Sequence, residues 1–207
     1  MDTAEAPLGR REKRKQEIRA RIEEAAYQLF HLQGIEDTSI EQICVQADVA
    51  RRTFYGHFPN KQSLIGGLGI SRLYDQSEPM LRLLMENHQT TRGRLEAMID
   101  YIESNFSGYE DIDRQLILLA PSTFAEDSER QRKVGDSTIA SFTRLITAGV
   151  EIDDVQTAFS AEILATMVVG TLNMLTISWA MNSDYPIFAK LEEARIMFEH
   201  LICKDTP

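Results

Sequence analysis

Apolar residues recur at helical spacing along nearly the whole chain. Near the N-terminus they follow an i, i+4, i+7, i+11 pattern that Gly34 can end, formed by Ile18, Ile22, Ala25, Leu29 and Phe30. Further helices are expected at 80–89, 92–107, 112–124, 127–148, 154–182 and 187–203. No run alternates with a period of two for more than a few residues, so the pattern predicts an all-α fold.

The segment after Gly34 is expected to form shorter helices. Either Thr38 with Glu41, or Ser39 with Gln42, has the spacing of a capping box that opens a helix. A further short helix is expected from about residue 51 to residue 55, and a longer one from Asn60 to about residue 77. Two short helices that follow an amphipathic helix are typical of a helix-turn-helix.

The second short helix breaks the local rules of helix formation. Ala50 is a poor N-cap, and Arg51 and Arg52 occupy the first turn, where the helix dipole disfavours cations. Val49 and Phe54 can form a hydrophobic staple that holds the helix in place. Such a helix suits a major groove, where guanidinium groups at its start read guanine. The alternative is a solvated surface turn with incidental arginines.

The stretch IEEAAYQLFHLQGIEDTSIEQICVQADVARRTFYGHFPNKQSL resembles the tetracycline-repressor (TetR) family of bacterial transcription regulators. The match runs from about Lys15 to Leu68, and T-F-Y-x-H-F-x-N-K is its most specific part. The resemblance implies an N-terminal three-helix head on a larger helical body that binds an effector and dimerises. We expect a basic arm at 1–14, a DNA-binding domain at 15–60 and the body at 61–207.

The resemblance also implies roles for single residues of the head. Thr38 and Ser39, which open the first motif helix, would approach phosphates. Arg51, Arg52 and Thr53 would contact bases. Tyr55, His57 and Lys61 would bind the DNA backbone. For His57 a structural role is the alternative. Two departures are Ala50 in place of a common serine and Asp48 in place of a common glycine. Asp tolerates the left-handed conformation that such a turn requires.

Charge is unevenly distributed along the chain. The net charge is −10, but residues 1–72 carry about +1 and residues 73–207 carry −11. Seven basic residues lie within residues 10–21: Arg10, Arg11, Lys13, Arg14, Lys15, Arg19 and Arg21. A near-neutral head with a basic arm on an acidic body suggests that the head meets a polyanion and the body does not. The basic arm either touches DNA outside the main groove or is a solvated tail.

The segment Ile163–Met181 has 19 residues without a charge, which reaches the length of a membrane-spanning helix. It contains five polar residues and no basic cluster flanks it, so a helix buried on most sides is favoured. Cys44 and Cys203 fit no metal spacing and no disulfide framework, and the charged N-terminus does not look like a signal peptide. We therefore expect a cytoplasmic protein.

The last two long helices are expected to form a homodimer interface. The resemblance implies a four-helix bundle across a two-fold axis, and 187–203 carries an apolar stripe of Ile187, Leu191, Ala194, Phe198, Leu201 and Ile202. A purely intramolecular core is the alternative. Four positions of the preceding helix, Glu162, Thr166, Gly170 and Asn173, share one face, which lies either at the interface or along an effector cavity.

The resemblance implies an effector pocket in the body. Its expected lining is mostly apolar with a few polar groups: Met98, Tyr101, Phe106, Phe124, Glu162, Thr166, Met167, Asn173, Met174 and Trp179. Ordinary core is the alternative for each of the apolar residues.

Together these features predict a regulator that binds double-stranded DNA at an inverted repeat and is a repressor released by a small, largely apolar effector. No cofactor or metal is expected. An enzyme would need an organised nucleophile, carboxylate pair or metal cluster, and no motif supplies one. The competing class is an interaction module that keeps the helix-turn-helix without binding specific DNA.

Overall fold

The computed structural model describes residues 9–74, 77–123, 128–156 and 158–204, with side chains except at 70–78 and 121–134. This part of the chain forms ten helices and an isolated antiparallel bridge between Val155 and Cys203, which confirms the all-α prediction. The helices are α1 Arg10–Gln33, α2 Ile40–Gln46, α3 Arg51–His57, α4 Lys61–Tyr74, α5 Ser77–Asn87, α6 Thr91–Ser107, α7 Asp111–Thr123, α8 Ser128–Glu151, α9 Ala161–Met181 and α10 Ile187–Ile202.

The first three helices pack around a small apolar core. Its centre consists of fully buried side chains from each helix: Ile22, Ala26 and Phe30 of α1, Ile43 of α2 and Phe54 of α3. Residues from α4 and from α7 belong to the same core, namely Leu64, Ile65, Leu68, Ile112 and Leu116. The N-terminal head is therefore completed by two helices that continue into the body.

Close contact between α4 and α7 fixes the head on the body. A Cβ atom at Gly69 would lie 2.3 Å from the carbonyl oxygen of Leu116 and 2.7 Å from the Cβ of Ala120. Glycine is thus required where the two helix backbones approach each other most closely.

The start of α9 differs from its prediction. The sequence pattern predicts a helix from residue 154, whereas α9 begins at Ala161 with Ser160 as N-cap. In the preceding segment Asp154 accepts hydrogen bonds from the backbone N–H and the hydroxyl of Thr91, at 2.6 and 2.7 Å. Asp153 has a φ of 62°, outside the helical region. These contacts hold the described residues before α9 in a non-helical conformation, so the helix begins later than predicted.

The remaining helices surround a second, larger core. Buried residues of α6, α8, α9 and α10 form its centre, among them Met98, Leu145, Val168 and Phe198. By length and composition α9 could cross a membrane, and 33% of its most apolar window is buried within the chain. The expected burial on most sides is therefore not found in the single chain, because Ile163, Met174 and Met181 of α9 are exposed. One such helix is weak evidence of a membrane span.

Candidate nucleic-acid interface

The first motif helix, α2, has a complete N-terminal cap. Ser39 is the N-cap, its hydroxyl accepts a hydrogen bond from Gln42 N–H at 3.2 Å, and the Gln42 side-chain Oε1 accepts one from Ser39 N–H at 2.8 Å. Ser39 is exposed, so its own O–H can still donate to a phosphate. Of the two capping boxes that the sequence allows, the structure forms this one.

Thr38 lies inside the head and not on its surface. Its side chain is 2% exposed, and its hydroxyl donates to the carbonyl of Gly34 at 2.7 Å. This placement contradicts the expected phosphate contact, because the hydroxyl is enclosed and already bonded. Thr38 instead closes the turn between α1 and α2.

The turn into α3 has the geometry that the sequence predicts. Asp48 adopts a φ of 51°, in the left-handed region. Ala50 is the N-cap of α3 with no side-chain hydrogen bond, and Phe54 is fully buried behind the partly buried Val49. The helix extends to His57, two residues beyond its expected end. The start of α3 therefore has no side-chain cap, and the burial of Phe54 anchors it to the head.

One face of α3 points into solvent and carries most of the expected DNA-binding residues. Arg51, Arg52 and Tyr55 are exposed, and Thr53 is partly exposed. The Tyr55 ring packs edge-on against Phe54, with centroids 5.5 Å apart. The exposed face thus combines two guanidinium groups, a hydroxyl and a phenol on two turns of one rigid helix.

An acidic residue that the sequence pattern suggests only as a capping-box partner of Thr38 lies beside Arg51. Glu41 of α2 contacts it through a 2.7 Å distance between Arg51 Nη1 and Glu41 Oε1. Arg51 also hydrogen-bonds Tyr55, and this bond and the Glu41 carboxylate raise the pKa of Arg51. The pairing joins two helices across the turn, so helical spacing within one element could not reveal it.

His57 ends α3 in a cationic surrounding. Partial burial lowers its pKa, and the nearby charges of Arg19 and Lys15 lower it further. Arg19 lies over the Phe58 ring, with its Cζ 4.2 Å from the ring centroid. The imidazole is therefore held neutral beside two cations, and a bound phosphate would favour its protonated form.

Lys61, at the start of α4, reaches back to the α1–α2 turn. Its ammonium group donates to the carbonyl of Ile35 and, at 3.5 Å, to that of Glu36. Three donors are available on an ammonium group, so one remains for a phosphate. Lys61 thus secures the head as well as facing its surface.

The expected arm at 1–14 divides into two parts, and its basic residues all lie in the second. Residues 10–14 form the exposed first turns of α1, and residues 1–8 of the expected arm lie outside the described residues.

In the body, the residues expected to line an effector pocket divide between the outer face of α9 and the closely packed core. Glu162, Thr166 and Met174 lie on the outer face of α9, where Met174 is 61% exposed. The Thr166 hydroxyl donates to the Glu162 carbonyl within the helix, at 2.8 Å. Their assignment to an internal cavity is therefore wrong, because they point away from the core. Gly170 is exposed on the same face.

The other expected pocket residues are closely packed. Trp179 contacts Phe106 and Tyr109 with ring centroids 5.1 and 5.7 Å apart, and Arg114 Cζ lies 3.9 Å from its ring centroid. Met98 is fully buried. Three further members, Tyr101, Met167 and Asn173, are partly buried, and Phe124 lies outside the described residues. The Trp179 cluster belongs to the body core in this conformation.

A cleft of about 530 Å³ opens where the head meets the body. It is lined by Phe30, His31, Gly34, Glu110, Asp111, Ile112 and Gln115, and none of these belongs to the expected pocket. His31 Nδ1 lies 3.1 Å from Glu110 Oε2 across it.

The apolar stripe of α10 faces its own body. Leu191 is 1% exposed and Phe198 is fully buried, so this part of the expected dimer surface is intramolecular core. A different apolar face remains uncovered on α9 and α10: Ile163, Met174, Met181, Phe188, Ile196 and Leu201 are 38–73% exposed. We call these six residues the outer apolar face.

Among the described residues, no group of three or more His, Cys, Asp or Glu side chains is placed to hold a metal ion. Burial raises the pKa of the Cys203 thiol to about 11.

The geometry defines a helix-turn-helix protein: a small head exposes a cationic recognition helix and rests on a larger helical body. Residues 22–68 match the family model described as bacterial regulatory proteins, tetR family. This match confirms the resemblance of the opening segment to the TetR family of transcription regulators.

Solved structures share the fold over nearly the whole chain. A TetR-family regulator from Mesorhizobium loti is 20% identical, with 92% of this chain and 99% of that one covered and a TM-score of 0.66. FadR from Bacillus subtilis, in complex with stearoyl-CoA, is 18% identical, with 86% and 96% covered and a TM-score of 0.66. NalD, the secondary repressor of a multidrug efflux pump in Pseudomonas aeruginosa, is 17% identical, with 94% and 100% covered and a TM-score of 0.60. A search of curated proteins finds no match.

Proposed function

We propose that this protein is a cytoplasmic, homodimeric repressor that binds an inverted-repeat DNA operator through α3 and is released by a small, largely apolar effector. The observation that carries the proposal is the exposed first turn of α3, where Arg51 and Arg52 stand without a capping side chain or an acidic neighbour in the same turn. Guanidinium groups at the start of a helix in the major groove bind guanine O6 and N7.

Further residues of the head supply the backbone contacts. Ser39, Tyr55 and Lys61 have hydroxyl or ammonium donors on the head surface, the groups that usually bind phosphates. His57 lies between α3 and the basic first helix, where a phosphate would offset the charges of Arg19 and Lys15. The phosphate-binding set is thus Ser39, Tyr55, His57 and Lys61.

Dimerisation rests on the outer apolar face. Isolated apolar residues are common on a protein surface, but several large apolar side chains exposed on two helices that pack together favour an interface. A second copy related by a two-fold axis would cover the same face on both chains. The pair would then present two α3 helices to successive major grooves, about 34–36 Å apart.

The effector is proposed from the fold and from the character of the body core. The related fold of FadR holds stearoyl-CoA, and NalD is a repressor of a drug efflux pump. The body core of this chain is rich in methionine and aromatic side chains around Trp179. Such side chains repack around apolar ligands, so a ligand that opens this core would shift α7 and, through α4, the head.

Selection of binding sites from a random 40-bp duplex pool tests the DNA-binding part. Enrichment of an inverted repeat, with affinity that falls steeply as salt rises, is the expected result. Salt-dependent binding without enrichment of any sequence would contradict the proposed sequence-specific binding. The absence of DNA binding at 50 mM salt would favour the alternative of an interaction module.

A further inference from the structure

The two arginines at the start of α3 differ in their surroundings. Arg51 is paired with Glu41 of α2 at 2.7 Å and hydrogen-bonded to Tyr55 one turn further along α3. Arg52 is exposed, and within the described part of the chain it has no ion pair. One guanidinium group is therefore held in place, whereas its neighbour can move.

The pair between Glu41 and Arg51 contributes little to folding. Both side chains are more than half exposed, at 55% and 60%, and ion pairs in such positions are weak in water. Glu41 already lies in the first turn of α2, where a carboxylate is favourable without any partner. The consequence of the pair is therefore expected in what Arg51 can bind and not in the stability of the head.

The Glu41 carboxylate affects whether Arg51 contacts a phosphate or a base of the DNA. An arginine without a partner can turn toward the nearest phosphate, and such a contact carries no sequence information. Arg51 gives one nitrogen to Glu41 and keeps further donors of its planar fork. The negative charge of Glu41 also repels phosphates that approach the same point, so nonspecific binding is penalised.

We propose that Glu41 is a specificity-determining residue of the DNA interface, which holds Arg51 toward the base edges and disfavours phosphate contact beside it. The inference rests on the proposed DNA-binding function and adds to it an acidic residue. Removal of this residue should strengthen binding to DNA that lacks the selected sequence.

The variant Glu41→Gln tests this, because it keeps the shape of the side chain and removes the charge. The matched control is Glu24→Gln, which removes the same charge from an exposed α1 residue whose hydrogen-bond partner is Gln28 on its own helix. The probes are the duplex that the wild-type protein enriches from a random pool and a scrambled duplex of the same composition. Affinity for both is measured at two salt concentrations, and melting temperature is recorded for each variant.

Glu41→Gln is expected to bind the scrambled duplex about 2- to 10-fold more tightly and to lower the ratio of selected to scrambled affinity about 10-fold. Its melting temperature should stay close to that of the wild type. Relative to Glu24→Gln, a ratio that falls by more than about 3-fold supports the proposal, and a smaller change overturns it.

Failure of the proposed function is separable from failure of the inference. If the wild-type protein enriches no sequence, the DNA-reading function is wrong and the role of Glu41 falls with it. If the wild type enriches a sequence and Glu41→Gln discriminates as well as Glu24→Gln does, only the inference is wrong.

Discussion

The recognition helix α3 and the outer apolar face are both uncovered in the single chain, but they differ in chemical character. α3 has seven residues, two arginines and no acid in its first turn, and one buried side chain, Phe54. α9 has 21 residues of which only Glu162 is charged, and it still leaves Ile163, Met174 and Met181 exposed. The charged surface favours contact with a polyanion or water, and the apolar surface favours contact with another apolar surface. Exposure therefore indicates a site, and chemical character indicates what occupies it.

The largest effect is expected when the apolar core behind that face is disturbed. Phe198 is fully buried, so Phe198→Ala should lower the free energy of unfolding by about 3–5 kcal/mol. Urea denaturation at one fixed protomer concentration measures it. The control is Glu193→Ala on the same helix, which removes only a surface ion pair with Lys190 and should cost about 0–1 kcal/mol. A loss below about 1 kcal/mol for Phe198→Ala would show that the α10 stripe does not form this core.

The second-largest effect is expected when a charged residue is placed on the outer apolar face. Ile196 is 61% exposed, so Ile196→Glu should leave the helices folded but separate the two copies, as sedimentation equilibrium and circular dichroism would show. Affinity for the selected duplex should fall roughly 100-fold, because one head alone loses the gain from linking two half-sites. Leu83→Glu on α5 alters a residue of similar exposure, 57%, and should remain dimeric. Monomers from both variants, or from neither, would contradict the assignment of the interface.

A smaller effect distinguishes base contacts from backbone contacts within the charged surface. Arg52→Ala should cost about 1–3 kcal/mol on the selected duplex and much less on a scrambled one, because a base contact is lost. Lys61→Ala should weaken binding to both duplexes equally, since its remaining donor can reach only a phosphate. Titrations of both DNAs with both variants measure the difference. Equal losses on the two duplexes for Arg52→Ala would argue against base reading.

The smallest effect concerns pH. Because the pKa of His57 is lowered in the folded head, the unfolded chain binds more protons near pH 6, and stability from this group rises with pH and is lost as pH falls below its ordinary value near 6.5. His57→Gln should therefore lose less unfolding free energy than the wild type between pH 7.5 and 5.5. Urea titrations at both pH values measure this difference, and an equal loss in the two proteins would show that His57 is not desolvated.

The head could be predicted closely because its signals are local. The Ser39–Gln42 capping box, the left-handed Asp48 and the uncapped Ala50 each depend on residues a few positions apart, and the structure has all three. The pair between Glu41 and Arg51 escaped prediction because it joins two helices across a turn. Local spacing thus identifies the elements of a site but not every contact between them.

The body could be predicted only in outline because its decisive contacts are distant. The bond between Thr91 and Asp154 spans 63 residues and moves the start of α9. The stripe containing Leu191 and Phe198 marks a buried face of α10, but periodicity does not tell whether the partner is the same chain or a second copy. The assignment of α9 residues to a pocket was wrong for the same reason, because a polar stripe on a helix is compatible with a position inside or outside the fold.

The order of synthesis also matters for this head. Ile112 and Leu116, which complete its core, are made long after His57 ends the recognition helix. Domains usually fold as units while the chain emerges from the ribosome. The part of the head core that Ile112 and Leu116 cover therefore stays open until α7 has been made. The complete core of the head forms only after the first half of the body has been synthesised.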